Sequence, residues 1–185
     1  IIQNNPLSDE LMGDAMRFVA CHEVGHSLGL RHNMMGSWAF PTDSLRSKSF
    51  TDRMNSTSSS IMDYARFNYV AQPGDRERGV RLTPPRFGLY DYYAVKWLYT
   101  PLPDTATAAD EYAVTSKWMT EAAVDSVYRF GKQQFSRSID PRSQSEDLGD
   151  DAVKASTYGI ANLKYILGNM NAWIGDQDPD FSQRR

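Results

Sequence analysis

Apolar residues recur at helical spacing in four stretches of the chain. After Ser8, the positions Leu11, Ala15, Phe18, Val19, His22 and His26 follow one another at short helical intervals. Ser8 is placed to cap the first turn, and Asp9 and Glu10 lie inside it, so a helix is predicted from there to a stop at Gly29. A second helix is predicted to start at Thr83, Pro84 and Pro85, with Phe87, Tyr90, Ala94, Trp97 and Leu98 on one face and Pro101 and Pro103 ending it. Residues 104–123 are compatible with a third. Residues 150–167 predict a fourth, with Val153, Ile160, Leu163 and Leu167 at heptad-like spacing and Gly168 as its stop. No long alternating run announces a set of strands, so the expected fold class is mainly α with little or no sheet. Between the first two helices, Pro41 to Ser60 is rich in Ser, Thr and Asp and reads as a long, mostly irregular loop, either functional or a surface excursion.

Composition narrows the picture. With 185 residues and 41% hydrophobic content the chain is long enough to bury a core as one domain or one with a small extension, and wholesale disorder is excluded. The formal net charge is -3, and the only basic cluster, Arg76, Arg78, Arg81 and Arg86, is interleaved with Asp75 and Glu77. That cluster reads as a solvated loop, and no nucleic-acid partner is expected. No apolar run approaches the roughly 18 residues of a membrane span, and the opening IIQNNPLSDE is not a signal segment. A single cysteine, Cys21, excludes an internal disulfide and a multi-cysteine zinc ribbon; it is expected to be a small buried residue pointing away from the face of His22.

The chemistry is concentrated in eleven residues. All three histidines of the chain lie in HEVGHSLGLRH, residues 22–32. His22 and His26 are four apart, so a helix presents both imidazoles on one face, where they can share a metal at about 2.0 Å from each nitrogen. His32, six residues further on, would be displaced by about 9 Å along a continuous helix. The helix must therefore break for His32 to join them, and Gly29 is the residue that reaches the left-handed conformation such a break needs. Three neutral histidines leave a fourth position open, which is the arrangement of a catalytic zinc site. Glu23, beside the first ligand, is placed to serve as general base.

This segment resembles the extended zinc signature HExxHxxGxxH of the metzincin metallopeptidases. The resemblance implies a tight turn with a methionine beneath the metal, and SIMDY, residues 60–64, places Met62 thirty positions after His32. Tyr64 resembles the tyrosine that astacin-like and serralysin-like members use as a further zinc ligand and oxyanion stabiliser. More narrowly, GLRHN, SIMDYARFNYVAQPGD and EDLGDDAVKASTYGIANLK are similar to a bacterial Met-zincin family related to the zinc-binding A chain of a secreted toxin. Metzincins place a sheet-containing subdomain ahead of the active-site helix. Only residues 1–7 precede it here, so the chain is expected to be the C-terminal portion of a metzincin catalytic domain, with the missing N-terminal part of the same polypeptide as partner. Residues 1–100 are then the zinc-binding catalytic portion and 101–185 a helical C-terminal extension.

The function implied is a zinc-dependent endopeptidase acting on a protein or peptide substrate through a zinc-activated water. His22, His26 and His32 hold Zn2+, and Glu23 and Tyr64 are catalytic. The rivals are a non-catalytic zinc-bearing binding or scaffold module, and a zinc hydrolase of non-peptide substrates. A secreted, periplasmic or cell-surface location follows from the resemblance alone. Four weaker signals complete the reading. Asn33 is expected to cap the turn after the third histidine. Asp63 can either orient a histidine or make a structural hydrogen bond. Glu146, Asp147, Asp150 and Asp151 read as helix capping rather than a calcium loop. The aromatics Tyr90, Tyr92, Tyr93, Trp97 and Tyr99 read as packing.

Overall fold

Ser8 is extended and its hydroxyl accepts a hydrogen bond from the Leu11 amide, so the first helix, α1 (Asp9–Ser27), begins where the capping pattern places it. The computed structural model of the protein describes residues 8–104, 106–132 and 140–174. Besides α1 these contain α2 (Lys48–Met54), α3 (Leu89–Tyr99), α4 (Ala108–Ala122) and α5 (Ala152–Ile174), with 3-10 turns at Thr42–Arg46 and Ser126–Tyr128. Among the described residues there is no strand, and the fold is mainly α, as expected.

Two apolar clusters hold the elements together. One joins Phe40, Leu45, Ala65 and Val70 to Val127, Leu148 and Ala155, drawing residues far apart in the chain onto one core. The other, made of Phe18, Leu30, Ile61, Met62 and Ala94, lies between α1, α3 and the turn at 60–64.

Three local expectations are corrected. The stretch from Pro41 to Ser60 is neither mostly irregular nor a surface excursion. Ser47 caps α2, Asn55 ends it in the left-handed conformation at φ 51°, and Ser56 to Ser60 are all 0% exposed. Such polar burial is tolerable because the serines satisfy their own backbone: Ser58 N donates to Ser56 Oγ, Ser60 N to Ser58 Oγ, and Met62 N to Ser60 Oγ.

The helix expected from Thr83 starts at Leu89 instead, with Gly88 as its N-cap. A Cβ at Gly88 would fall inside the backbone carbonyl of Ser59, so the chain enters α3 at the one residue that can lie against the serine segment. Gly88→Ala is expected to cost about 3 kcal/mol or more, because backbone on both sides must move. A urea midpoint within error of wild type would contradict this packing.

The fourth helix runs through Gly168 to Ile174, and Val153, Ile160, Leu163 and Leu167 are exposed by half or more. It docks instead through small and polar residues. Ala155 is fully buried, Gly159 lies against the Tyr69 ring, and Asn162 Nδ2 donates to the carbonyls of Tyr69 and Ala71. The spacing 155, 159, 162 is helical, but the residue types are not those a hydrophobic pattern registers.

Candidate metal centre

At the C-terminal end of α1 the chain reverses sharply. Gly29 has φ 87°, its amide donates to His26 O, and the Leu30 amide reaches back to Gly25 O. This reversal brings His32 back over the helix, and it also turns the Leu30 carbonyl towards His26. His26 Nδ1 lies 3.0 Å from that oxygen, and His22 Nδ1 lies 2.9 Å from the carbonyl oxygen of Ile61. A carbonyl only accepts, so both Nδ1 atoms carry the proton and both Nε2 atoms present a lone pair.

The three rings converge, with centroids 4.8 Å apart for His22 and His26, 5.1 Å for His22 and His32, and 4.7 Å for His26 and His32. One ring nitrogen from each lies within 4.8 Å of the others. His26 Nε2 and His32 Nε2 are 3.0 Å apart, near the roughly 3.4 Å that separates two nitrogens bound at about 2.1 Å to one tetrahedral ion. Two nitrogen lone pairs facing at that distance repel unless a cation or proton lies between them. The donor set, all imidazole and with the tautomers of His22 and His26 fixed by carbonyls, fits zinc. Tyr64 Oη is 3.0 Å from His32 Nε2, so the phenol joins the same group.

Met62 lies beneath the histidines, fully buried in the core shared with Phe18 and Leu30. A Cβ on Gly25 would overlap the Met62 sulfur, so the glycine between the two helical histidines is what lets the turn come this close. The turn is fixed from three sides. Met62 O accepts from the Asn33 amide, Ser60 Oγ donates to Asp91 Oδ1 at 2.7 Å, and Ile61 N donates to Asp91 Oδ2 at 2.8 Å. Asp91 also accepts from Gly88 N, and burial raises its carboxyl above the usual range despite these three bonds. Sequence reading missed Asp91. The Gly88-x-x-Asp91 spacing signals a helix start, but nothing in it points thirty residues back to the turn.

Glu23 is exposed on the side of α1 adjoining His22, and with His22 and Tyr64 it lines a cleft of about 360 Å³ walled by Phe18, Val19 and Phe67. The apolar walls were not singled out by sequence, since exposed aromatics such as Phe67 carry no pattern of their own.

Five further expectations are settled by contacts. Asn33 does not cap a turn: buried, it donates from Nδ2 to Arg129 O and accepts from Gly131 N, tying the third histidine to the segment before residue 133. Asp63 orients no histidine; its Oδ2 accepts from Ser37 N and Ser58 Oγ. Cys21 is half-buried rather than buried, at the edge of the cluster of Phe18, Leu30, Ile61, Met62 and Ala94. The arginine cluster is not a freely solvated loop, because Arg78 pairs with Asp75, and Arg81 and Arg86 both turn to Asp14 of α1. The aromatics do pack: Tyr90 stacks on Phe130, Tyr93 meets Tyr128, and Trp97 meets Trp118. Tyr92 and Tyr99 stay more than half exposed.

Below the turn sits a pair of carboxyls with an unusual titration. Burial and the nearby Asp147 charge push Asp63 up to about 7, and burial pushes Asp147 up to about 6. Ser37 bridges them, its amide on Asp63 and its hydroxyl on Asp147. Raised carboxyl values mean that the folded chain keeps protons that the unfolded chain has lost. The associated stability is therefore complete below about pH 4 and declines as pH rises through about 6 and 7, by about 1.4 kcal/mol per pH unit for each proton retained. Asp147→Asn removes one titration and relieves the other. Relative to wild type, the chelated variant is expected to gain stability at pH 7.5 and not at about pH 4, and midpoint differences from wild type that are equal at the two would contradict the coupling.

A family model described as Met-zincin matches residues 4–185. No curated protein and no solved structure matches the chain.

Proposed function

The chain belongs to the Met-zincin family, and from that premise we propose that it is a zinc-dependent endopeptidase whose metal is held by His22, His26 and His32. The observation that carries this reading is the convergence of three imidazoles, two with Nδ1 protons held by carbonyls, beside a tyrosine hydroxyl and an open cleft. Zinc, when bound, supplies a Lewis acid that polarises a peptide carbonyl and acidifies water.

The chain's own residues do the rest. Glu23 takes the proton from the attacking water and delivers it to the leaving nitrogen, which its position at the mouth of the cleft supports. The Tyr64 hydroxyl donates a hydrogen bond to the carbonyl oxygen as negative charge grows there. Met62 is the methionine of the Met-turn, an apolar support that keeps the histidine rings from shifting. Phe18, Val19 and Phe67 exclude water and give the substrate a wall to lie against. No helix among the described residues is long and apolar enough to cross a membrane. We infer a secreted or cell-surface setting from the family resemblance.

The test is hydrolysis of casein and of small peptides by the purified protein, with and without a chelator. Activity is expected to vanish on chelation and to return with about one zinc per chain. Zinc binding without hydrolysis would support a scaffold module instead, and hydrolysis of esters but not peptides would move the reading to another substrate class.

A further inference from the structure

Three arginines converge on a single carboxylate next to the catalytic cleft. Asp14 of α1 pairs with Arg17 on the same helix, and its oxygens lie 3.5 Å from Arg81 Nη2 and 3.3 Å from Arg86 Nη2. Burial, which would raise the Asp14 carboxyl, is outweighed by a hydrogen bond from Thr83 and by the three guanidinium groups, so it is held below the usual range and stays ionised. Three fixed positive charges thus face one negative charge, leaving an excess of two.

The excess is partly withheld from solvent, at Arg81 rather than at the more exposed Arg17 and Arg86. Only 16% of the Arg81 side chain is exposed, and burial together with the charges of Arg86 and Arg17 lowers its affinity for a proton. The Nε atoms of Arg81 and Arg86 are both buried without a hydrogen-bonding partner among the described residues. Buried donors of this kind normally find an acceptor. All four charged groups line one cavity of about 100 Å³, much smaller than the roughly 300–1,000 Å³ of a cofactor or drug-sized site and suited to a group the size of a carboxylate.

The cavity adjoins the cleft. Phe18 and Pro84 line both, and Phe18 packs 5.8 Å from the His22 ring. Arg17 lies five positions before His22, about 7.5 Å along the helix axis. An extended peptide rises about 3.4 Å per residue, so a side chain about two positions from the bond at the metal reaches this distance. Planar guanidinium forks match a carboxylate by paired hydrogen bonds.

We propose that Arg17, Arg81 and Arg86 form a carboxylate-binding subsite that selects peptides with an acidic side chain, or their own C-terminal carboxylate, a short distance from the cleaved bond. The proposal rests on the peptidase reading of the adjoining cleft. The anion-binding part can be tested apart from it.

Two measurements on the zinc-loaded protein decide. Peptides differing only by glutamate or glutamine near the cleaved bond, each with a free or an amidated C-terminus, are expected to differ about tenfold in kcat/KM in favour of the acid, mainly through KM. Arg86→Gln, and independently the more exposed Arg17→Gln, should shrink that ratio towards one. Which pair shows the preference separates the side-chain source from the terminal one. Separately, N-acetylglutamic acid α-amide or N-acetylalanine should raise Tm in wild type more than in either variant, and N-acetylglutamine amide should not raise it. Equal kcat/KM for all peptides, with no Tm difference, would overturn the subsite. An acid-specific Tm rise without hydrolysis of any peptide would keep the subsite and overturn the peptidase reading.

Discussion

Replacing Glu23 by alanine is expected to lower peptide hydrolysis by about 10²–10⁴-fold while leaving about one zinc bound per chain. The two halves of this result come from different sides of α1. On the proposed reading the metal is held by His22 and His26, whose rings are oriented by the Ile61 and Leu30 carbonyls, and by His32, which the reversal at Gly29 brings to them. Glu23 takes no part in that group. It is exposed at the cleft, so its loss creates no buried cavity and leaves no unpaired charge. The measurement is kcat/KM on one fluorogenic peptide beside elemental analysis of the same sample. Hydrolysis retained at the wild-type rate would exclude Glu23 as the base. Zinc lost together with activity would show that the carboxylate supports the metal rather than the water.

Replacing His32 by alanine is expected to weaken zinc binding by more than the roughly 10–100-fold that loss of an outer-shell partner causes, and to remove hydrolysis with it. His32 is the proposed ligand that depends on tertiary structure, since it lies beyond the helix and reaches the site through the turn at Gly29 and the anchoring of Asn33 to Arg129, Gly131 and Met62. Its replacement should leave the helical circular dichroism unchanged, because α1 ends at Ser27 and its cap uses neither His32 nor the metal. A competition titration with a chromophoric chelator reads the affinity directly. Wild-type affinity in this variant would mean that the third ligand is another group, and Tyr64 Oη, 3.0 Å from His32 Nε2, is the nearest candidate.

Both results would be anticipated from the motif, and the reason is local. His22 and His26 share a face because four residues make about one helical turn. Gly29 breaks the helix because it alone there carries no Cβ penalty at positive φ. Ser8 caps α1 because its hydroxyl reaches the Leu11 amide. Each of these depends on residues within a few positions of one another. Met62 and Tyr64 were legible through the family resemblance, although no periodicity of their own marks them.

What the amino-acid sequence determined by itself is therefore the helix bearing two of the three converging histidines, its stop and the mainly α class. What only the tertiary structure decided is everything that depends on a partner distant in the chain. Asp91 holds the Ile61 amide and Ser60 hydroxyl from thirty residues away, and Asn33 binds Arg129 and Gly131 almost a hundred residues on. Gly88 sets the start of α3 because the Ser59 carbonyl occupies the space a side chain would need. Helix α5 buries Ala155 and lays Gly159 against the Tyr69 ring while exposing its leucines, an outcome fixed by the shape of the Tyr69 surface it meets. The arginines that looked like a solvated loop gather on Asp14 for the same reason. Hydrogen-bond direction and steric fit act between surfaces, and a pattern read along one chain does not contain the surface on the other side.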